Sequence, residues 1–205
     1  MLQVQLRVES RRCLVVGGGT VGTRRAKALL DAGAIVVVVD PTPSATLETL
    51  AAGSDAAESV PASGNLSGRL ELLRRNFADS DMTEPDGLIL VVAATNDPAT
   101  NAAVGAAARR AGVLVNRADD VGSGDLAFPA LARRGPVSIG VSTHGATSGS
   151  GEVNAGPVPV LARWVAQRLD EGVDELLGLD AAALTLLAEL LAEARAEVRA
   201  EVHGE

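Results

Sequence analysis

A chain of 205 residues, 47% of them hydrophobic, can build one full α/β domain with a smaller appendage. Aromatics are only 1% of it and the net charge is −8, which excludes base-stacking platforms for single-stranded nucleic acid and argues against DNA as a partner. The single cysteine, Cys13, excludes an internal disulfide and a cysteine-built zinc site.

The charge is uneven. Residues 1–169 hold 16 acidic and 16 basic side chains, whereas residues 170–205 hold 10 acidic and 2 basic. The first twelve residues lack the apolar run of a signal peptide, and no segment is long and apolar enough to span a membrane, so a cytoplasmic protein without a membrane partner is expected.

In chain order, Cys13–Val16 is a short apolar run that leads into Gly17-Gly18-Gly19-Thr20-Val21-Gly22. Its apolar neighbours make Cys13 a buried strand residue rather than a reactive thiol. Val21–Ala32 reads as a helix closed by Gly33, and Ile35–Val39 is a run of five β-branched residues. Apolar on both faces, that run suits a central parallel strand. Ala45–Ala52 reads as a short helix, Gly53–Gly68 as a loop, Leu70–Leu73 as a strand and Leu88–Ala93 as another fully buried strand. Asn101–Ala111 is an alanine-rich helix closed by Gly112, followed by a strand at Val113–Val115. This alternation predicts a doubly wound parallel sheet of the Rossmann type. Val137–Ser142 is a further strand, Ser148–Gly156 a glycine-rich stretch, and helices are expected from Pro159 and after Asp180. The last of these has an apolar stripe that calls for the body of the protein or a second subunit. The expected domains are 1–117 (dinucleotide-binding), 118–158 (a central substrate and dimerisation segment) and 159–205 (helical).

A G-x-G-x-x-G turn is weak evidence alone, but here it follows a strand, opens a helix and precedes a second strand ending in Asp40. Gly17 suits the tight turn, Gly19 lets a pyrophosphate approach the backbone, and Gly22 lets the helix pack on the strand. The N–H groups of Thr20, Val21 and their neighbours would bind the phosphates. Asp40 lies where a carboxylate accepts hydrogen bonds from the adenosine ribose, and its charge favours NAD over NADP. Thr95 and Asp97, just after the buried strand, suit either contacts to the ribose or nicotinamide or a helix-capping turn.

The series GGGTVGTRRAKALLDAGA, VVAATNDPATN, VNRADD, FPALARRGPVSIGVSTHG and PVPVLAR resembles the precorrin-2 dehydrogenase / sirohydrochlorin ferrochelatase family, that of the siroheme synthase N-terminal module. The resemblance implies NAD-dependent oxidation of precorrin-2 to sirohydrochlorin, iron insertion in some members, and a homodimer. It also implies a catalytic aspartate. In Asn116-Arg117-Ala118-Asp119 that residue is Asp119, with Asp120 adjacent. A carboxylate at a strand's C-terminal end can take up a proton as hydride leaves. Thr143 and His144 match the family's Ser-Ser/Thr-Gly-Gly turn, with His144 in place of a glycine. The chain departs from the family at the Ser148–Gly156 insertion and at Arg117, where an apolar residue is usual.

The tetrapyrrole substrate carries many carboxylates, so Arg117 and Arg163, with Arg24, Arg25, Lys27, Arg133 and Arg134, are candidate partners for it. Trp164 is better suited to packing at an interface than to walling a macrocycle. Sequence leaves a second class open, an NAD-sensing regulatory domain like those that control potassium transport. That class accounts for the first 116 residues but not for VNRADD, STHG and PVLAR. Short-chain dehydrogenase chemistry is excluded, because the chain has no Tyr for a Tyr-x-x-x-Lys pair.

Overall fold

Five parallel strands form one sheet in the order β3-β2-β1-β4-β5: β1 Arg12–Val16, β2 Ile35–Val39, β3 Arg69–Leu73, β4 Leu88–Ala93 and β5 Leu114–Arg117. The computed structural model describes residues 2–55, 68–83, 87–134, 137–142 and 162–169, with residues 172 and 186. Two compact units divide the chain, Met1–Ala127 and Phe128–Glu205.

In the first unit the central strands are buried on both faces, which is why they read as unbroken apolar runs. Helices α1 (Thr20–Asp31), α2 (Ala45–Asp55) and α3 (Pro98–Ala111) connect them. Side chains alternate between faces along a strand. Val15 meets α1, its Cγ1 lying 3.5 Å from where a Cβ on Gly22 would stand. Leu14 and Val16 meet the other side, where they form one core with Val91, Ala93, Val115 and the α3 residues Val104, Ala107 and Ala108. The sheet is therefore covered on both faces, the Rossmann-like arrangement that the alternation predicts. Cys13 is fully buried in it, and burial pushes its thiol pKa up to about 11, so it stays protonated and serves packing.

Element boundaries differ from expectation for local reasons. α3 starts at Pro98 rather than Asn101, because Asp97 caps it and proline fits the first helical turn. α2 continues to Asp55. β5 runs to Arg117 rather than ending at Val115. After β5 the chain folds back on that strand. Asp125 N–H donates to Val115 O (2.8 Å), Val115 N–H donates to the Asp125 carboxylate (3.0 Å), and Asn116 Nδ2 donates to Leu126 O (2.9 Å). These bonds occupy backbone groups that an edge strand would otherwise leave open.

In the second unit β6 (Ala130–Arg134) pairs antiparallel with β7 (Val137–Val141), and residues 162–169 are helical. Ala162 and Ala166 are buried on that helix, while Trp164 is 58% exposed with the Arg168 guanidinium 5.9 Å from its ring centroid. Thr143, His144 and Ser148–Gly156 lie outside the described residues, as does the helix expected after Asp180 apart from residue 186. No helix among the described residues is long and apolar enough to cross a membrane.

Candidate active site

The sheet order reverses between β1 and β4, and ligands of open α/β sheets bind at the carboxyl ends of the strands beside such a switch. Val16 pairs with Val39 on one side and Ala93 on the other, and Ala93 pairs with Arg117, so four strands end level. The ladder continues one residue further. Gly17 N–H donates to Val39 O, Ala94 N–H to Val16 O, Ala118 N–H to Ala93 O and Asp40 N–H to Leu73 O, at 2.8–3.1 Å. The glycine loop, Asp40, Thr95 and Asp119 thus leave the sheet along one edge.

Gly17 has φ +104°, and a Cβ there would stand 2.5 Å from Ala94 O. Only glycine allows that turn and that approach to β4. A Cβ on Gly22 would fall 1.8 Å from Gly17 O, so the first turn of α1 lies directly against the loop. Gly19 is different, because a Cβ there would meet nothing within 4 Å. It caps α1 without a side-chain hydrogen bond, and no acidic residue lies in the first helical turn. The Thr20 and Val21 positions beside it are exposed. The amino end of α1 therefore presents unsatisfied N–H groups and a positive dipole end to open space, the fit that a pyrophosphate requires.

Asp40 is half-buried, and its carboxylate accepts hydrogen bonds from Gly18 N–H and Thr42 N–H. Gly18 O in turn accepts from Ser44 N–H (3.1 Å) and the Thr23 hydroxyl (3.2 Å). Asp40 thus braces the glycine loop, and its carboxylate keeps lone pairs beyond those two bonds. Sequence reasoning passed over Gly18. A Cβ there would crowd Pro43 Cα at 3.1 Å and Leu47 Cδ1 at 3.2 Å.

After β4, Asp97 is the N-cap of α3, accepting from Ala99 N–H, Thr100 N–H and the Thr100 hydroxyl. Those bonds, the Thr100 hydroxyl first, lower its pKa. Of the two readings of this turn, capping is the one for which the structure gives bonds. Thr95 is held by Asn101, a fully buried side chain that sequence reasoning did not single out. Asn101 Oδ1 accepts from Thr95 N–H (3.0 Å) and Thr95 Oγ1 (2.8 Å), and Nδ2 donates to Thr95 O (3.1 Å).

At the end of β5, Arg117 pairs with Asp119 through Nη2–Oδ2 (2.7 Å) and Nε–Oδ1 (3.3 Å), and its Nη1 lies 3.9 Å from Asp120 Oδ2. The Arg117 hydrogen bond holds the Asp119 carboxyl below the usual aspartate range against a smaller effect of burial, and the Asn101 side chain adds to the lowering. Asp120 binds the Ser123 hydroxyl and Gly122 N–H instead. Among the other cationic candidates of this unit, Arg24 and Lys27 are exposed, while Arg25 is half-buried with its pKa lowered to about 10 by burial and then by Arg24. Arg133 and Arg163 belong to the second unit and are exposed. Among the described residues no group of three His, Cys, Asp or Glu side chains could hold a metal ion.

Siroheme synthase of Methylococcus capsulatus is 35% identical over 177 residues, covering 86% of this chain and 31% of that protein. Siroheme synthase of Nitrosomonas eutropha is 35% identical over 170 residues, covering 82% and 29%. The chain thus spans about 30% of the length of these relatives. Among solved structures, SirC, a precorrin-2 dehydrogenase, matches with TM-score 0.58 and 28% identity over 96% of this chain and 79% of that one. A family model of NAD(P)-binding proteins matches residues 4–130, more than half of the chain and nearly all of the first unit. With the bare amino end of α1 at the switch point of a parallel sheet, this chain belongs to that NAD(P)-binding family.

Proposed function

We propose that this chain oxidises precorrin-2 to sirohydrochlorin, with NAD as the hydride acceptor, in siroheme biosynthesis. The observation that carries the reading is the place of the Asp119 carboxylate, paired with Arg117, on the edge that also bears the dinucleotide loop. In the reaction the tetrapyrrole loses a hydride and a proton. NAD, when bound, would supply the hydride acceptor, giving NADH, and Asp119 would receive the proton at a carboxylate oxygen before passing it to water. Gly19, Thr20 and Val21 hold the pyrophosphate on a loop shaped by Gly17 and Gly22, Asp40 holds the adenosine ribose and disfavours a 2′-phosphate, and Thr95 with Asp97 shapes the nicotinamide side. For the substrate carboxylates we propose Thr143, His144 and Arg163 of the second unit.

The relatives named for siroheme synthesis and the precorrin-2 dehydrogenase of similar fold support this reading over an NAD-sensing regulatory domain, which has no use for an ionised Asp119. The relatives' name also motivates a second reaction at the same carboxylate, iron insertion into sirohydrochlorin with Asp119 accepting pyrrole protons. We further propose a cytoplasmic homodimer with no nucleic-acid or membrane partner.

The test mixes purified protein, precorrin-2 and NAD and follows NADH and sirohydrochlorin together. Equal yields of the two are expected from the wild type. Asp119→Asn is expected to lower kcat by roughly 10²–10⁴-fold, the range of a lost general base, while still binding NAD. No NADH from the wild type would refute the reading. Siroheme formation on adding ferrous iron tests the second reaction, and light scattering tests the dimer.

A further inference from the structure

The sequence makes Arg117 a cation for substrate carboxylates, but the geometry commits its guanidinium elsewhere. We propose that Arg117 is a positioning residue for Asp119, fixing the orientation of that carboxylate, and that it does not reach the tetrapyrrole. The proposal rests on the reading of Asp119 as the proton acceptor.

Three observations carry it. First, the contact uses two guanidinium nitrogens and both carboxylate oxygens, at 2.7 and 3.3 Å, the fork geometry that fixes a carboxylate's plane as well as its position. Second, the two side chains are only 12% and 24% exposed, so solvent screens this pair less than a surface pair. Third, the arginine stem passes against α3. Gly105 of α3 leaves its Cα bare where the Arg117 stem passes, Cδ lying 3.5 Å from the place a Cβ would take. With Asp120 Oδ2 3.9 Å from Nη1, a substrate carboxylate would have to displace an existing anion and approach a second one.

The groups around Asp119 are Arg117 and Asp120 on its own segment and Asn101 from α3, and Arg109 of α3 reaches the next turn at Ser123 O (2.6 Å). Of these only Arg117 makes a direct ion pair with Asp119, so its removal should dominate the titration of that carboxyl.

Arg117→Ala and Arg117→Lys are compared with the wild type, all loaded with NAD. The carboxyl carbon of Asp119 is titrated by NMR, and kcat and KM for precorrin-2 are measured across pH. In Arg117→Ala the Asp119 titration is expected to rise into the ordinary aspartate range, with the acid limb of kcat/KM following it. The kcat should fall roughly 10–100-fold, part of a general base's contribution, with KM and NAD affinity within about threefold. Arg117→Lys keeps the charge but not the fork, so the titration should return towards wild type while kcat recovers only in part. A KM raised tenfold or more, with kcat and the Asp119 titration unmoved, would overturn the proposal and return Arg117 to the substrate. If the wild type makes no NADH, the functional reading fails. The NMR arm still decides the ion pair, because an Asp119 titration unchanged in both variants overturns it.

Discussion

Two glycines three residues apart in the loop should fail in opposite ways when each becomes alanine. In Gly22→Ala the added methyl would stand 1.8 Å from Gly17 O, a backbone atom whose peptide is held by the Gly18 N–H bond to the Asp40 carboxylate, and this contact must open to at least 3.0 Å. Neither the loop nor α1 can yield so far without loosening its packing on Val15, which puts the cost near the upper end of overpacking, about 3 kcal/mol. For a chain of this length that corresponds to a Tm lower by roughly 6–12 °C. In Gly19→Ala the new methyl meets nothing within 4 Å and the backbone has φ −72°, so the stability change should stay within about 0.5 kcal/mol. The methyl instead fills the space over the bare N–H groups of α1. Losing one or two charge-assisted hydrogen bonds to phosphate, about 1.5–3 kcal/mol, weakens NAD roughly 10–150-fold. Calorimetric titration with NAD and thermal melts of both variants make the comparison. If Gly19→Ala bound NAD like the wild type, or lost stability as Gly22→Ala does, the placement of the pyrophosphate at this helix end would be refuted.

Asn101→Ala takes away the side-chain partner of the partly buried Thr95 N–H and C=O, at a cost of about 1–2 kcal/mol, and kcat for precorrin-2 should fall while NAD affinity changes little. Unchanged melting and kcat would show that the amide does not hold this turn. Asp81 is 6% exposed. Burial alone would raise its pKa, but hydrogen bonds from Arg75 and Ala78 N–H and the Arg75 charge carry it below the ordinary aspartate value. A depressed carboxyl contributes stability that is complete above the ordinary aspartate pKa and is lost as pH falls through its folded-state value. Asp81→Asn should therefore cost on the order of 1–2 kcal/mol at neutral pH, less than a fully buried pair because Arg75 is partly solvated, and the gap to wild type should close in acid. Denaturant melts against pH check this. Asp40→Ser should bring the affinities for NAD and NADP closer by removing a charge that repels a 2′-phosphate. An unchanged ratio in binding measurements would remove Asp40 from the ribose site.

How much was legible in the sequence follows from where each signal resides. Cys13–Val16, Ile35–Val39 and Leu88–Ala93 announce themselves because a strand buried on both faces needs an unbroken apolar run. The Gly17–Gly22 loop is readable because its demands are backbone demands, met by glycine within six residues. β6 was missed because Ala-Leu-Ala-Arg-Arg is made of good helix formers, and only its pairing with Val137–Val141 makes it a strand. Gly18 was missed because its constraint is tertiary: the Asp40–Ser44 turn closes over it. Asn101 looked like one more polar residue on an alanine-rich helix, since its partners come from the turns after β4 and β5. The Arg117–Asp119 pair had a usable signal. A cation and an anion two residues apart, where β5 gives way to a bend, are near enough in the chain to pair.

The strand order itself explains why these residues make one site. Across the sheet edge, β2 delivers Asp40, β1 the glycine loop, β4 Thr95 and β5 Asp119, each step being one strand spacing of about 4.8 Å. A dinucleotide laid along that edge would meet, in order, an acceptor for its adenosine ribose, bare amides for its pyrophosphate, a held turn for its nicotinamide half and then an ionised carboxylate. Nothing in the chain order 1-2-3-4-5 suggests such a sequence. It arises because the chain returns past β1 after β3 and sets β4 on its other side. The hydrogen bonds Gly17–Val39, Ala94–Val16 and Ala118–Ala93 then fix the relative heights of the groups to within one residue. A carboxylate held on this platform needs little freedom of its own, which is the setting in which a side chain such as Arg117 can act by holding rather than by binding.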